Sequence, residues 1–201
     1  MTIIIEAVTN DEGRAAMRRV RREVFELERG IEFGRLRIPD QPQALHLLAR
    51  TERGGDPVAA LSVVETTGDD RLHESCGLSF AAGARAARYT QLAVLKSYRG
   101  MNIPLRLILE AHHLFVVPGR FDHSWLLFDA DRAAGSLLCL WLAFVPHLSV
   151  FQSEYGLSRS LVRDENDPRS KEAVRQVERY FQRAGPSLPL CGSVIKSKTI
   201  F

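Results

Sequence analysis

The sequence has little cysteine, and the few cysteines it has are scattered. Its 201 residues include three, far apart and outside any spacing that is typical of metal ligands. They are Cys76, Cys139 and Cys191. An odd and dispersed set of this kind argues against a disulfide framework and against a structural zinc site. We therefore expect a protein of a reducing compartment that holds no metal.

Long hydrophobic runs are also lacking. The longest mostly apolar stretch, residues 133–150, is interrupted by Pro146 and His147, which makes it too short and too broken for a membrane span. The opening segment MTIIIEAV has no basic residues ahead of its short apolar run, unlike a secretory signal peptide. These absences predict a cytoplasmic protein with no membrane span.

The sequence has no large excess of charge of one sign. The 27 basic and 24 acidic residues leave a net charge of +3, and glutamates lie among the arginines of residues 14–22 and the segment that follows. We therefore do not expect a nucleic-acid-binding protein. Only four of the basic residues are lysine, so most of the positive charge sits on arginine, whose planar fork suits carboxylates and phosphates.

The pattern that is present alternates short β-branched runs with amphipathic segments, which predicts an α/β (α+β) fold. The predicted strands cover residues 3–8, 44–50, 58–66, 89–95, 124–128, 148–152 and 193–201. The predicted helices cover residues 11–30, 104–115, 132–144 and 168–183. Residues 67–85 indicate a long loop, with room for a short helix. The length favours a single domain, 1–201, with its core at about 3–144 and residues 145–201 completing the sheet.

The turn between the strand 89–95 and the following helix is the most informative segment. A turn that opens a helix presents backbone N–H groups without intrahelical partners at the positive end of the helix dipole, and these bind phosphate. Lys96, Arg99 and Arg106 add positive charge, so a diphosphate is a suitable ligand. The alternative is an ordinary strand–turn–helix connection with solvated basic residues.

The order of these elements, with the segment LAVLKSYRG at residues 92–100, resembles the GNAT N-acyltransferase fold. In that family the turn reads Gln/Arg-x-x-Gly-x-Gly/Ala and holds the pyrophosphate of an acyl-CoA. Arg99 fits the first position, whereas Asn102 and Pro104 stand where the glycines belong. The resemblance implies a mixed, mostly antiparallel central sheet that is flanked by helices and splayed between strands 4 and 5.

Two further segments are similar to acyl-homoserine lactone synthases and long-chain N-acyl amino acid synthases. They are RREVFELERG at residues 21–30, and Asp40 followed by ALHLLA at 44–49. This likeness implies an acyl donor that is either a long-chain acyl-CoA or an acyl carrier protein. Where those synthases have Glu-x-Ser-Arg on the fourth strand, this chain has Arg88 and Gln91 in place of the acidic and the basic residue.

The resemblance also implies which residues bind the donor. The pantetheine arm would lie along the main chain of the fourth strand, and the phosphates would lie on the turn. The expected donor-binding residues are Leu92, Ala93, Val94, Lys96, Arg99, Gly100, Met101, Asn102 and Ile103. Acyl-CoA or acyl-phosphopantetheine acts as a co-substrate, with no covalently bound cofactor. The apolar helix 132–144 either is buried on several sides or lines an acyl pocket.

Acyl transfer to an amine also needs a base, and three residues are candidates. They are Glu65, Glu74 and His46. The alternative is an exposed strand-end carboxylate for Glu65, a solvated loop charge for Glu74 and a hydrogen-bonded structural histidine for His46.

Taken together, the sequence predicts an N-acyltransferase that moves an acyl group from acyl-CoA or an acyl carrier protein to the amine of a small acceptor. The alternative is a catalytically inactive GNAT-like domain that binds an acyl thioester or a protein partner, which the residues at positions 88, 102 and 104 would allow.

Overall fold

A computed structural model describes residues 2–32, 44–52, 55–68, 73, 75–130, 134–153 and 155–183. Its strands are β1 (Ile4–Ala7), β2 (Leu45–Arg50), β3 (Pro57–Thr67), β4 (Arg85–Val94), β5 (His123–Asp129), β6 (Val145–Ser153) and β7 (Gly156–Asp164). Its main helices are α1 (Asp11–Arg21), α2 (Ile103–Ala111), α3 (Ala134–Leu142) and α4 (Pro168–Arg183). Wider π-helical turns prolong α1 over Arg22–Leu27 and α2 over His112–Val116.

The described strands form one seven-stranded sheet in the order β1-β2-β3-β4-β5-β7-β6. Every neighbouring pair is antiparallel except β4 and β5, which run parallel. Helix α1 packs on one face, where it contacts Leu48 and Ala60. The other three helices cover the opposite face, where Leu47 and Leu61 lie. The predicted mixed, mostly antiparallel sheet flanked by helices is confirmed.

Helix α1 shows how the sequence sets a local boundary. The side-chain oxygen of Asn10 accepts a hydrogen bond from the Gly13 N–H at 2.8 Å, which satisfies one of the unpaired amides of the first turn. Ala16, Met17 and Val20 form the buried stripe that faces the sheet, as expected of an amphipathic helix. Its π-helical extension leads to Glu28 and Arg29, which contact Arg99 and Asp129.

The splay between β4 and β5 has a specific cause. Their parallel pairing stops at Tyr89 and Leu126. Just beyond, the register between β3 and β4 shifts, so that Gln91 and Leu92 together oppose Leu61. Gln91 has a φ of +54°, in the left-handed region that few residues other than glycine adopt. This β-bulge bends β4 away from β5, and the predicted splay is confirmed.

Buried Arg21, at the end of α1, holds this bulge in place. Its Nε donates to the Gln91 carbonyl at 3.3 Å and its Nη2 donates to Ser62 Oγ at 2.7 Å. Burial lowers the pKa of Arg21 to about 10, so the side chain stays charged at neutral pH. A charged donor strengthens both hydrogen bonds.

The C-terminal part of the chain differs from the prediction in one element. Strand β7 was not predicted, although it lies between β5 and β6 and pairs with both. Strand β6 and helix α4 agree with the predicted strand near 148–152 and the predicted helix 168–183. The predicted strand at 193–201 lies outside the described residues. Both β6 and β7 extend the sheet, and a single domain of 1–201 stays a prediction.

Helices long and apolar enough to cross a membrane do not occur in the described part of the chain.

Candidate active site

A cleft opens where β4 leaves β5, with a cavity of about 330 Å³. One side of the cleft is the second half of β4, from Thr90 to Leu92, and the other side is the end of β5. No register pair joins β4 to β5 beyond Tyr89 and Leu126, so in this region β4 has a backbone edge that β5 does not use. An extended ligand can hydrogen-bond to such an edge as an added strand does.

One wall of the cleft is apolar. It combines side chains from α2, α3 and β5 that also belong to the main hydrophobic core. They include Leu105, Ile108, Leu138, Trp141, Leu126 and Phe128. The prediction that the helix 132–144 faces an apolar cavity fits Leu138 and Trp141, whereas Leu140 on the same helix is 77% exposed.

The opposite wall is polar. The Arg29 Nη2 lies 3.3 Å from Asp129 Oδ2 and donates to the Tyr155 carbonyl at 3.1 Å. All three residues border the cleft, and Asp129 is the only carboxylate among the described residues that line it. The Tyr155 ring packs against Phe25 with their centroids 5.7 Å apart. The wall therefore places the Asp129 carboxylate beside the Arg29 guanidinium, with the Tyr155 ring packed on Phe25.

The middle of the cleft is lined by Arg88 and Tyr89. The Arg88 guanidinium lies over the ring of buried Trp125, with Cζ 5.1 Å from the ring centroid. Burial raises the pKa of Tyr89, so its phenol stays protonated and is unsuited to act as a base.

At its far end the cleft meets the turn before α2, and Gly100 and Asn102 line it there. Asn102 has a φ of +57° and Gly100 a φ of +87°. Asparagine adopts the left-handed conformation more readily than most residues, so Asn102 can hold this positive φ at the position where the family pattern has glycine. Pro104 lies in the first turn of α2, where a missing N–H breaks no intrahelical hydrogen bond.

The N–H groups of this turn precede the intrahelical ladder. The hydrogen bond from Arg106 N to Asn102 O, at 3.1 Å, is the first of α2. The amides of residues 100–103 therefore lie at the positive end of the helix, where they can bind an anion. Pro104 reduces the number of such donors by one relative to the family pattern.

Two of the predicted basic residues are engaged within the protein. Arg99 donates to Glu28 through Nη2 and to the Val94 carbonyl through Nε, at 2.5 and 3.1 Å. The expectation for Arg106 was wrong, because this side chain is buried and donates to the Ile3 carbonyl at 3.1 Å. Lys96 is exposed at the start of the turn.

The remaining donor-binding candidates are divided. Leu92, Gly100 and Asn102 line the cleft. Ala93 and Val94 are buried and pair with β3, while Ile103 is buried and Met101 is 37% exposed. The structure therefore brings three of the nine predicted residues to the cleft wall.

Two of the predicted bases, Glu65 and His46, do not line the cleft. Glu65 forms a two-point ion pair with Arg85, with Oε1 2.7 Å from Nε and Oε2 3.1 Å from Nη2. His46 is buried, and its Nδ1 lies 2.7 Å from Ser62 Oγ, which agrees with the alternative of a structural histidine. Glu74 lies outside the described residues.

Sequence reasoning missed Asp129, Arg29 and Tyr155 as site residues. Asp129 was assigned to the connection before α3, and Arg29 to an ordinary helix surface. The carboxylate and the guanidinium are 100 residues apart in sequence, so no local pattern could pair them. The one signal in the sequence was Arg88, which stands where the synthases have an acidic residue. An acidic side chain for the site would therefore have to come from another position in the chain.

Comparisons of the sequence found no relatives: no protein-family model and no curated protein matches the chain. The structure is similar to FeeM, an N-acyl amino acid synthase from uncultured soil microbes. The TM-score is 0.63 at 12% identity, over 85% of this chain and 92% of that chain.

Two other solved structures are similar to the same extent. For the CoA-dependent acyl-homoserine lactone synthase BjaI, with SAM and isopentyl-CoA, the TM-score is 0.61 at 15% identity, covering 88% and 90% of the two chains. For Arabidopsis thaliana NAA60 in complex with acetyl-CoA the TM-score is 0.61 at 12% identity, over 82% of this chain and 99% of that chain. This likeness confirms the GNAT fold.

Proposed function

We propose that this chain is a cytoplasmic N-acyltransferase that moves an acyl group from acyl-CoA or an acyl carrier protein to the amine of a small acceptor. The observation that carries the proposal is the cleft itself, in which an unused backbone edge of β4 leads to the N-terminus of α2. Proteins of the same fold, BjaI and NAA60, were solved with isopentyl-CoA and acetyl-CoA.

The donor would be held mainly by backbone groups. The amides of its pantetheine arm hydrogen-bond to the main chain of Leu92, Ala93 and Val94, as in strand addition. Its phosphates lie against the N–H groups of residues 100–103. Arg99 reaches these phosphates only if it leaves Glu28, while exposed Lys96 adds charge beside the turn.

The acyl chain would occupy the apolar wall. Leu105, Ile108, Leu138 and Trp141 enclose a space in which each buried methylene contributes about 0.8 kcal/mol to binding. A donor with a chain longer than acetyl therefore gains affinity from this wall.

The polar wall would supply the proton chemistry. The amine nitrogen attacks the thioester carbonyl carbon, so that a C–N bond forms and the C–S bond breaks. The proton that the nitrogen loses passes to the Asp129 carboxylate, which Arg29 orients from 3.3 Å. The thiolate that leaves is protonated, and the Tyr155 phenol on the same wall is the candidate donor.

The test combines a binding measurement with a turnover measurement. Thermal unfolding is followed with acetyl-CoA, palmitoyl-CoA and an acylated carrier protein, because a ligand that binds the folded state raises the melting temperature. Thiol release is then measured with a panel of amines. Stabilisation followed by amine-dependent thiol release is the expected result.

Each failure has a separate meaning. The absence of a shift with any of the three donors would refute the donor site. A shift without thiol release would favour the alternative, an inactive GNAT-like domain that binds an acyl thioester.

A further inference from the structure

Two arginines on β4 each lie over an aromatic ring, but they have different partners. Arg85 lies over the Phe121 ring with Cζ 4.7 Å from its centroid, and Arg88 lies over Trp125 at 5.1 Å. Each guanidinium therefore has an aromatic face beneath it, which favours a cation. The two positions form a natural comparison within one strand.

The fork of Arg85 is occupied by an anion. Glu65 binds it at two points, and the Gly119 carbonyl accepts from Nη1 at 2.5 Å. In contrast, the buried Nε of Arg88 has no hydrogen-bond partner among the residues that the structure describes, and no ion pair within that part of the chain involves its guanidinium. A partly buried guanidinium without an acceptor is costly to the folded protein.

The described residues that line the cleft offer Arg88 no second carboxylate. The cleft's carboxylate, Asp129, is already paired with Arg29. Two guanidinium groups and one carboxylate therefore line the cavity, which leaves one positive charge beside Trp125. A ligand oxyanion, which arginine binds through two parallel hydrogen bonds, complements that charge.

The position of Arg88 indicates which substrate carries the anion. Val94, just before the turn proposed to bind phosphate, lies six positions after Arg88 on β4. At the rise of an extended strand these six steps span about 20 Å. The donor phosphates would lie at that turn, so an anion at Arg88 belongs to the other substrate. Arg88 lines the same cleft as Asp129.

We infer that Arg88 determines acceptor specificity by binding an oxyanion, so that the acceptor is an amine with a carboxylate or phosphate group. This inference rests on the proposed function, although anion binding at Arg88 can be measured without turnover. A neutral amine of the same size leaves the guanidinium unpaired in the closed complex, and a site of this kind discriminates strongly against such a ligand.

The first experiment measures binding through Trp125. In a Trp141→Phe background Trp125 is the only tryptophan, and its fluorescence is titrated with N-acetylglycine, N-acetylglycinamide and inorganic phosphate. We expect a saturable change with one or both anions and at least tenfold weaker binding of the amide. Saturation with N-acetylglycine alone assigns a carboxylate, and saturation with phosphate alone assigns a phosphorylated amine.

Matched variants identify the residue. Arg88→Gln should abolish the saturable change, Arg88→Lys should retain part of it, and Arg85→Gln should leave it intact. Circular dichroism verifies the fold of each variant, and Arg88→Lys keeps the test valid if Arg88→Gln does not fold. Equal binding of the amide, no saturation with either anion, or unchanged saturation in Arg88→Gln or Arg88→Lys would overturn the inference.

Turnover provides the second readout. The ratio of kcat/KM for glycine and glycinamide is compared between the wild type and Arg88→Lys, which cancels the different basicity of the two amines. If inorganic phosphate alone gives a saturable fluorescence change, a phosphorylated amine replaces glycine. Its dephosphorylated counterpart then replaces glycinamide as the neutral substrate. We expect the preference for the anion to fall at least tenfold, and an unchanged ratio would contradict the inference. Anion binding without turnover of any amine would refute the proposed function and leave the anion site intact.

Discussion

The two halves of β4 differ in what lies beside them. The closed half, residues 85–89, pairs with β3 on one side and with β5 on the other. The open half, residues 90–94, pairs with β3 alone and borders the cleft with its other edge. One strand thus contributes both to the continuous sheet and to the wall of the cleft.

The physical difference between the halves is small. A left-handed residue, Gln91, and a one-residue shift against β3 separate them. Because a bulge increases local twist, it is enough to force a pair of parallel strands apart. In this structure the β-bulge at Gln91 alone exposes an edge of β4 inside the sheet. No additional strand or helix is needed for it.

The largest expected effect on catalysis comes from Asp129, on the polar wall of the cleft. Asp129→Asn removes the proposed proton acceptor but preserves the shape of the side chain. We expect kcat to fall about 10²- to 10⁴-fold, while the affinity for the donor stays within about twofold. Steady-state thiol release and donor titration measure the two quantities.

The matched control is Asp122→Asn. Asp122 precedes β5 on the side of the closed half and accepts from the Arg85 N–H at 3.0 Å. An equal loss of kcat in the two variants would mean that Asp129 has no specific role in proton transfer.

A smaller effect should follow from narrowing the cleft beside the open half of β4. Leu138→Trp adds volume at the apolar wall, where overpacking costs about 1–3 kcal/mol. We expect palmitoyl-CoA to bind at least tenfold more weakly and acetyl-CoA to bind nearly as before, as measured by thermal shift. Equal losses for both donors would place the acyl chain elsewhere.

The end of the open half offers a prediction in the opposite direction. If the donor phosphates bind Arg99 as proposed, Glu28 competes with them for this side chain. Glu28→Gln should then tighten donor binding about two- to fivefold, the amount expected of a partly exposed ion pair. Arg99→Ala should weaken binding by a similar factor. Calorimetric titration with acetyl-CoA at low salt measures both, and tighter binding in Arg99→Ala would contradict the proposed contact.

The smallest expected effect concerns stability on the side of the closed half. Arg163 lies beside β5 and donates to His112 Nδ1 at 2.9 Å and to Glu165 Oε1 at 2.7 Å. Burial, with the charge of Arg163, lowers the pKa of His112 to about 3. Between that value and its ordinary pKa of 6.5 the unfolded chain binds more protons at this site than the folded chain.

The contribution of His112 to stability is therefore fully present above pH 6.5 and is lost as the pH falls towards 3. Its slope is at most about 1.4 kcal/mol per pH unit. His112→Gln keeps an acceptor for Arg163 without a titrating group and should flatten this slope in urea unfolding between pH 7.5 and 5. His113→Gln is the control, and identical slopes in all three proteins would exclude His112 as the cause.

Much of the fold could be predicted because its signals are local. The cap at Asn10, the spacing of buried residues along α1 and the apolar β2 and β3 each lie within a short window. Strand β7 was missed because its sequence, GLSRSLVRD, carries two arginines, two serines and an aspartate. Ser158 and Ser160 are buried by neighbouring elements of the fold, which no local pattern of the sequence indicates.

The candidate site was predictable only to a limited extent. The turn before α2 has a recognisable pattern, and Gly100 and Asn102 do line the cleft. The basic residues of the turn suggested more free positive charge than the structure has. Arg106 donates to the Ile3 carbonyl and Arg99 to Glu28, and both partners are far away in sequence.

By itself the sequence determined the alternation of strands and helices, the turn that opens α2 and the near balance of charge, since each depends on neighbours along the chain. The tertiary structure decided where the sheet opens and which polar groups meet there. The left-handed Gln91 is held by Arg21, and Asp129 meets Arg29, only after distant segments pack. Arg88 lies over Trp125 for the same reason, because the pairing of β4 with β5 places these two residues opposite each other.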